Sequence, residues 1–202
     1  RYDKKKGGFY NSLLVVNNNL EIISEYKKQK LVPFGEFIPF EKQLRRFGLK
    51  KITEGYGSFL KGDNQKNLVF EELNILPLIC YEAIFTEFIQ RSDKETNLII
   101  NISEDGWFGE SIGPYQHYVK GIFRSIEKNS YLIRSANKGV SLIVNNKGEL
   151  IKKLNPTEKG TISLEVPLIK NNSKVRNDLI FFALLITYIF IFNIYKKKNV
   201  KK

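Results

Sequence analysis

The 202-residue sequence has no methionine, one cysteine, one histidine and one tryptophan, and each scarcity closes a class of function. With no Met and with Arg1 in first place, the first residue is not an initiation site, so a piece of a longer chain is expected. A single cysteine cannot form a disulfide within the chain. A single histidine, His117, cannot build a His-based metal cluster. The acidic, Gly-containing run around Asp105 is too short for a calcium loop and lacks its later carboxylate. No metal and no cofactor are therefore expected. Negative charge is also in short supply: 33 Lys and Arg stand against 21 Asp and Glu, for a net charge of +12. The basic residues are scattered among Asn, Ile, Phe and Tyr, and no helix-turn-helix, zinc-finger or RNA-recognition pattern accompanies them. Nucleic acid is not an expected partner, and a basic face near anionic lipid fits the charge better.

What is present reads as alternating strands and helices. Residues 1–8 form a charged, exposed lead-in. Phe9–Val16 and Leu20–Tyr26 predict a hairpin turned at Asn17, Asn18 and Asn19, residues that tolerate left-handed geometry. Pro33, Gly35 and Pro39 then bar regular structure until a short helix between Phe40 and Gly48. Leu49–Asn64 has no periodicity and reads as a loop. Strands are expected at Lys66–Glu71, Ile75–Cys80, Leu98–Ile102, Tyr131–Ala136, Val140–Asn145, Glu149–Leu154 and Thr161–Val166. Helices are expected at Ala83–Gln90 and Gln116–Lys128, where apolar residues recur at helical spacing. The class is α/β with a mixed sheet. Three loops, around Phe34, Cys80 and Trp107, leave their elements where α/β sheets usually carry their sites.

The apolar run Ile75–Ile79 delivers the lone thiol, Cys80, to a strand end. Two readings stand side by side. Backbone N–H groups at a strand-to-helix turn stabilise a thiolate that can attack a carbonyl; a free Cys is also a common small hydrophobe of a core. Lys28 lies in a lysine-rich run, which by itself suggests a solvated face. Trp107 in a Gly-flanked loop suits packing or substrate contact. His117, at a predicted helix start, reads as a local cap or loop contact.

Leu179–Tyr195 has 17 residues without a charge, and at about 1.5 Å per residue it covers roughly 25 Å, near the lower limit of a membrane span. KKKNVKK follows it, and Lys170, Lys174 and Arg176 precede it. The lysine excess beyond the helix puts the C-terminus in the cytoplasm and the α/β domain outside. The expected division is a catalytic-domain portion at 1–169, a linker at 170–178, a transmembrane helix at 179–195 and a basic cytoplasmic tail at 196–202.

The runs YKKQKLVPFGEFIPFE, ICYE, ISEDGWFGESIGPYQH and RSANKGVS, in this order and followed by a membrane helix with a lysine tail, resemble the apolipoprotein N-acyltransferases, membrane-bound members of the nitrilase superfamily. The resemblance extends from about Phe9 to the end. It implies part of a nitrilase-like αββα sandwich followed by one C-terminal transmembrane helix. It implies Cys80 as nucleophile and Lys28 as catalytic lysine, with Glu36, Tyr81 and Glu82 as active-site support and Trp107 on a loop bordering the pocket. The third catalytic residue, a general-base glutamate, is expected upstream of Arg1 with further membrane helices, so the chain alone is expected to be inactive. The implied reaction moves a fatty acyl chain from a phospholipid to the N-terminal amine of a diacylglyceryl-modified apolipoprotein through a cysteine thioester. The implied location is the bacterial inner membrane, with the catalytic domain on the periplasmic side. Two other functions remain open: a nitrilase- or amidase-type hydrolase, and a membrane-tethered binding module with a degenerate pocket.

Overall fold

The computed structural model describes residues 1–40, 58–64, 67–169 and 177–199. It divides into two units, Arg1–Asn171 and Asn172–Lys202. In the first, β1 (Tyr2–Asp3) pairs with β2 (Gly8–Phe9), and β3 (Ser12–Val16) pairs antiparallel with β4 (Ile22–Lys27). The rest of the sheet structure is β5 (Leu68–Phe70), β6 (Leu73–Ile79), β7 (Leu98–Glu104), β8 (Tyr131–Asn137), β9 (Ser141–Val144) and β10 (Leu150–Leu154). These six make one mixed sheet in the order β10-β9-β8-β7-β6-β5. Its centre is parallel, β6 to β7 to β8, with α1 (Thr86–Arg91) and α2 (Gly113–Lys128) in the crossovers.

Side-chain alternation along β6 sorts the core into two layers. Leu76 and Leu78 face a cluster with Ile99, Leu132, Leu142 and Val144, covered by Phe88 of α1 and by Tyr118 and Ile122 of α2. Ile75 and Ile79 face the opposite way, into a cluster with Leu13, Tyr26, Leu68 and Leu98 that the β3–β4 hairpin covers. The order is helices, six-stranded sheet, two-stranded sheet: three consecutive layers of an α/β sandwich. β7 lies in the middle of the large sheet, as its continuous apolar run requires. Because β6, β7 and β8 are parallel, their carboxyl ends gather at one rim, where Ile102 pairs with Ile79 and Glu104 with Asn137.

Several boundaries differ from expectation for local reasons. The lead-in is not free chain: Gly7 at φ 63° lets Tyr2–Asp3 and Gly8–Phe9 pair. The helix expected over Ala83–Gln90 is split. A 3-10 turn spans Cys80–Ile84, and the extended backbone of Phe85 separates it from α1. The second helix begins at Gly113, earlier than Gln116, because Pro114 fits a helix's first turn. Thr161–Val166, expected as a strand, joins no ladder among the described residues. The helix expected between Phe40 and Gly48 lies, but for Phe40, outside the described residues, as do positions 170–176 of the expected linker.

The second unit contains α3 (Asn177–Asn199), 23 residues and roughly 34 Å long. Its stretch Leu179–Lys197 is long and apolar enough to cross a membrane. Thr187 Oγ1 donates to the Ala183 carbonyl at 2.8 Å and Asn193 Nδ2 to the Ile189 carbonyl at 2.9 Å, so both bond along their own helix.

Candidate active site

Lys28 follows directly after β4. Its backbone N–H donates to the Asn11 carbonyl and its own carbonyl accepts from Gly62 N–H, both at 2.8 Å. Its lysine neighbours turn elsewhere. Lys27 lies over the Tyr10 ring, with Nζ 4.4 Å from the centroid. Lys30 Nζ meets the exposed Glu87 carboxylate at 3.1 Å. Lys28 alone turns inward and is 1% exposed. Its ammonium is 2.9 Å from Glu36 Oε1 and 2.8 Å from Glu36 Oε2, and Glu36 is also buried. Asn11 Nδ2 and the Val32 N–H donate to the same carboxylate at 3.0 and 2.9 Å. A buried charge is tolerated only when paired and hydrogen-bonded, and this pair meets both conditions.

Glu82 is wholly buried and ties two segments together. Its carboxylate accepts from the backbone N–H groups of Gln29 at 2.7 Å, Lys30 at 3.0 Å and Ile79 at 2.8 Å. The Tyr26 hydroxyl donates to both oxygens at 3.1 Å. Burial raises the Glu82 pKa, partly offset by the N–H groups of Ile79, Lys30 and Gln29 and by the charge of Lys28. Burial, then the Glu82 charge, also raises that of Tyr26. Glu82 thus clamps the backbone just after Lys28 to the backbone just before Cys80.

Cys80 has φ 53°, a left-handed conformation that costs an L-residue about 1 kcal/mol or more. Its Sγ lies 3.8 Å from the Glu104 carbonyl. It is half-buried and opens on a cavity of about 390 Å³ whose lining includes Lys28, Gly35, Glu36, Glu104 and Trp107. The loops around Phe34, Cys80 and Trp107 therefore meet at one cavity. Gly35 packs closely there, since an added Cβ would sit 3.0 Å from the Trp107 indole. Of the residues singled out from the sequence, Cys80, Lys28, Glu36 and Trp107 line this cavity. Glu82 lies behind it, and Tyr81 turns away to stack edge-on against Phe85 at 5.4 Å.

A second buried group, missed by the sequence reading, lies on the far side of Cys80. His117, expected to make a local contact, instead places Nδ1 2.9 Å from Asp105 Oδ1 and Nε2 3.1 Å from the Cys80 carbonyl. Arg134 Nη2 donates to Asp105 Oδ2 at 2.7 Å, its Nε to the Val140 carbonyl at 3.3 Å, and its Nη1 to Asn101 Oδ1. Ser103 Oγ donates to Asp105 Oδ1 at 2.7 Å. Burial alone would raise the Asp105 pKa; the His117 hydrogen bond, the Arg134 charge and the Ser103 hydroxyl outweigh it and hold it at about 2. The available signal was Arg134 itself, a charge in the middle of an apolar strand, which demands a buried partner. Glu104 was missed too; its carboxylate accepts from the Gly106 N–H at 2.8 Å and from Asn137 Nδ2 at 2.5 Å beside the cavity. Among the described residues no group of three or more His, Cys, Asp or Glu is arranged to hold a metal ion.

The carbon-nitrogen hydrolase family profile matches residues 1–170. Among curated proteins, the chain is similar to an apolipoprotein N-acyltransferase of Rhizobium leguminosarum, 41% identical over 159 residues, covering 78% of this chain and 30% of that protein. It is also similar to one from Rickettsia typhi, 37% identical over 196 residues, covering 94% of this chain and 38% of that protein. The chain thus spans about a third of the length of these relatives. Among solved structures, a carbon-nitrogen hydrolase from Helicobacter pylori matches with a TM-score of 0.57 at 18% identity, over 78% of this chain and 57% of that one. An amidase from Nesterenkonia sp. matches with a TM-score of 0.51 at 17% identity, over 71% and 50%. The two likenesses establish the fold, a nitrilase-like α/β sandwich.

Proposed function

The chain belongs to the carbon-nitrogen hydrolase family, and from that premise we propose that it carries the cysteine and lysine of an apolipoprotein N-acyltransferase. The observation that supports this most is the buried Lys28–Glu36 pair opening on the same cavity as Cys80. The names of the curated homologues supply the acceptor class. In the first half-reaction the Cys80 thiolate attacks the carbonyl carbon of a phospholipid ester. A carbon–sulfur bond forms, the carbon–oxygen ester bond breaks, and the lysophospholipid alkoxide leaves with a proton. In the second, the amine of a diacylglyceryl-modified N-terminal cysteine attacks the thioester, and the Cys80 thiol is released. A carboxylate base, expected upstream of Arg1, takes the thiol proton and later the amine proton. Lys28 is the oxyanion donor, a compact cation held by Glu36 in a site with little water. Glu82 fixes the spacing of Lys28 and Cys80, Tyr81 flanks the nucleophile, and Trp107 borders the acyl entry.

We assign residues 1–169 to the catalytic portion, 170–178 to the linker, 179–195 to a transmembrane span and 196–202 to a cytoplasmic tail. The catalytic portion then faces the periplasm from the bacterial inner membrane. In full-length protein supplied with phospholipid, intact mass is expected to show a hydroxylamine-sensitive fatty acyl adduct on Cys80. A Cys80→Ala variant that still transfers acyl chains overturns the assignment. Release of the acyl group to water in the presence of acceptor, with none on the amine, would replace the transferase by a hydrolase. A reporter fused after Lys202 is expected to behave as cytoplasmic.

A further inference from the structure

Cys80 keeps a left-handed backbone that its own side chain disfavours, so something outside the residue must hold it. One peptide earlier than its own N–H, the Leu78–Ile79 peptide is fixed by Glu82, which accepts the Ile79 N–H. The peptide after Cys80 begins the 3-10 turn Cys80–Ile84, and His117 reaches the Cys80 carbonyl from α2, at 3.1 Å. A carbonyl oxygen can only accept, so this contact places a proton on His117 Nε2. The opposite edge of the ring cannot swing away. Nδ1 faces Asp105 Oδ1, and Asp105 is anchored by Ser103 and Arg134 and by its own N–H to the Asn137 carbonyl at 2.9 Å. His117 is 4% exposed and Asp105 fully buried, so water does not compete for either contact. Gly139 completes the enclosure, since a Cβ there would overlap the Asp105 carboxylate.

We propose that His117 is a positioning residue for the nucleophile: its Nε2–H holds the Cys80 carbonyl towards α2, and Asp105 with Arg134 holds the ring. In a trans peptide the following N–H, that of Tyr81, then points the opposite way, away from α2. The orientation of the peptide beside the thiol-bearing Cα, and with it that N–H, is thus held by a side-chain contact as well as by the 3-10 turn. The inference rests on the reading of Cys80 as nucleophile, and it adds an element that neither touches substrate nor lines the cavity.

Two substitutions separate this role from simple filling of a buried site. Gln carries its amide nitrogen near the place of Nε2, and Asn near the place of Nδ1. Iodoacetamide alkylation of the Cys80 peptide, followed by mass spectrometry on the full-length protein, reads the thiol without phospholipid or acceptor. His117→Asn is expected to slow alkylation about tenfold, the scale of one lost hydrogen bond, while His117→Gln stays within about threefold of wild type. Equal slowing by both variants, or a wild-type rate for Asn, overturns the proposal. A second measurement needs no substitution. In ring-15N-labelled protein the His117 signal, assigned by its loss in His117→Gln, is expected to show a slowly exchanging proton on Nε2; a bare Nε2 overturns the proposal. Because neither readout involves acyl transfer, the expected results in a protein that transfers no acyl chain would sustain this inference and defeat the acyltransferase reading alone.

Discussion

Two buried cation–carboxylate pairs flank Cys80, and they are built for different purposes. Lys28–Glu36 stands at the end of a two-stranded hairpin and borders the cavity; Arg134–Asp105 is sealed between β8, the end of β7 and α2. Arg134 directs its whole fork at buried partners: Nη2 on Asp105 and 3.2 Å from His117 Nδ1, Nη1 on Asn101, Nε on Val140. Among the described residues Lys28 bonds to Glu36 alone through its ammonium, which has three hydrogens to give. An unused donor beside an open space can meet charge that develops during a reaction. A fork enclosed by buried partners, away from the cavity, holds shape.

Breaking the sealed pair is expected to have the largest effect. Arg134→Met leaves Asp105 buried without its cation and is expected to cost about 3–5 kcal/mol in denaturant unfolding. A loss near 1 kcal/mol would mean that Arg134 does not organise the far side of the site. The open pair is expected to respond the other way. Lys28→Met leaves Glu36 the N–H groups of Asn11 and Val32 at the cavity wall, so the loss of stability is expected to be smaller than for Arg134→Met, while acyl transfer falls about a hundred-fold, roughly 3 kcal/mol in the barrier. A Lys28 variant of full activity would remove the distinction between the pairs.

Acid sharpens the contrast. The folded-state pKa of Asp105 lies below its ordinary value of 3.8, at about 2, so the stability it contributes is present above pH 3.8 and is lost as pH falls through about 2. A shift of this size corresponds to about 2 kcal/mol. Urea midpoints between pH 4 and pH 2 are expected to fall more steeply for wild type than for Asp105→Asn, and parallel slopes would contradict the assignment. Smallest are the neighbours: Lys27→Ala and Lys30→Ala, which remove a cation over a ring and an exposed ion pair, should each change stability by about 0.5 kcal/mol and leave the rate near wild type.

Part of the open side was legible in the sequence, because the run Ile75–Ile79 must end at Cys80; Lys28 was singled out by resemblance, since its lysine-rich run alone suggests a solvated face. The convergence of the Phe34, Cys80 and Trp107 loops followed from parallel strands sharing one rim. The sealed side was not legible. Asp105 and His117 are twelve positions apart, and Cys80 and His117 thirty-seven, so no local pattern links them. The same limit hid the contacts of Glu82 with Tyr26, Gln29 and Lys30, which span more than fifty positions. The split of Ala83–Gln90 was hidden for another reason: apolar spacing cannot register a side chain that captures the N–H of a preceding residue and tightens the turn.

Thr187 and Asn193 have a consequence for α3 that reaches past its length. By returning their hydrogen bonds to Ala183 and Ile189, they remove what would otherwise mark one side of the cylinder. The helix then has a top and a bottom, set by its lysines, but no compass bearing around its axis. A neighbour then chooses a side largely by contour, from the sizes of Ile, Leu, Phe and Tyr and the gap left by Ala183.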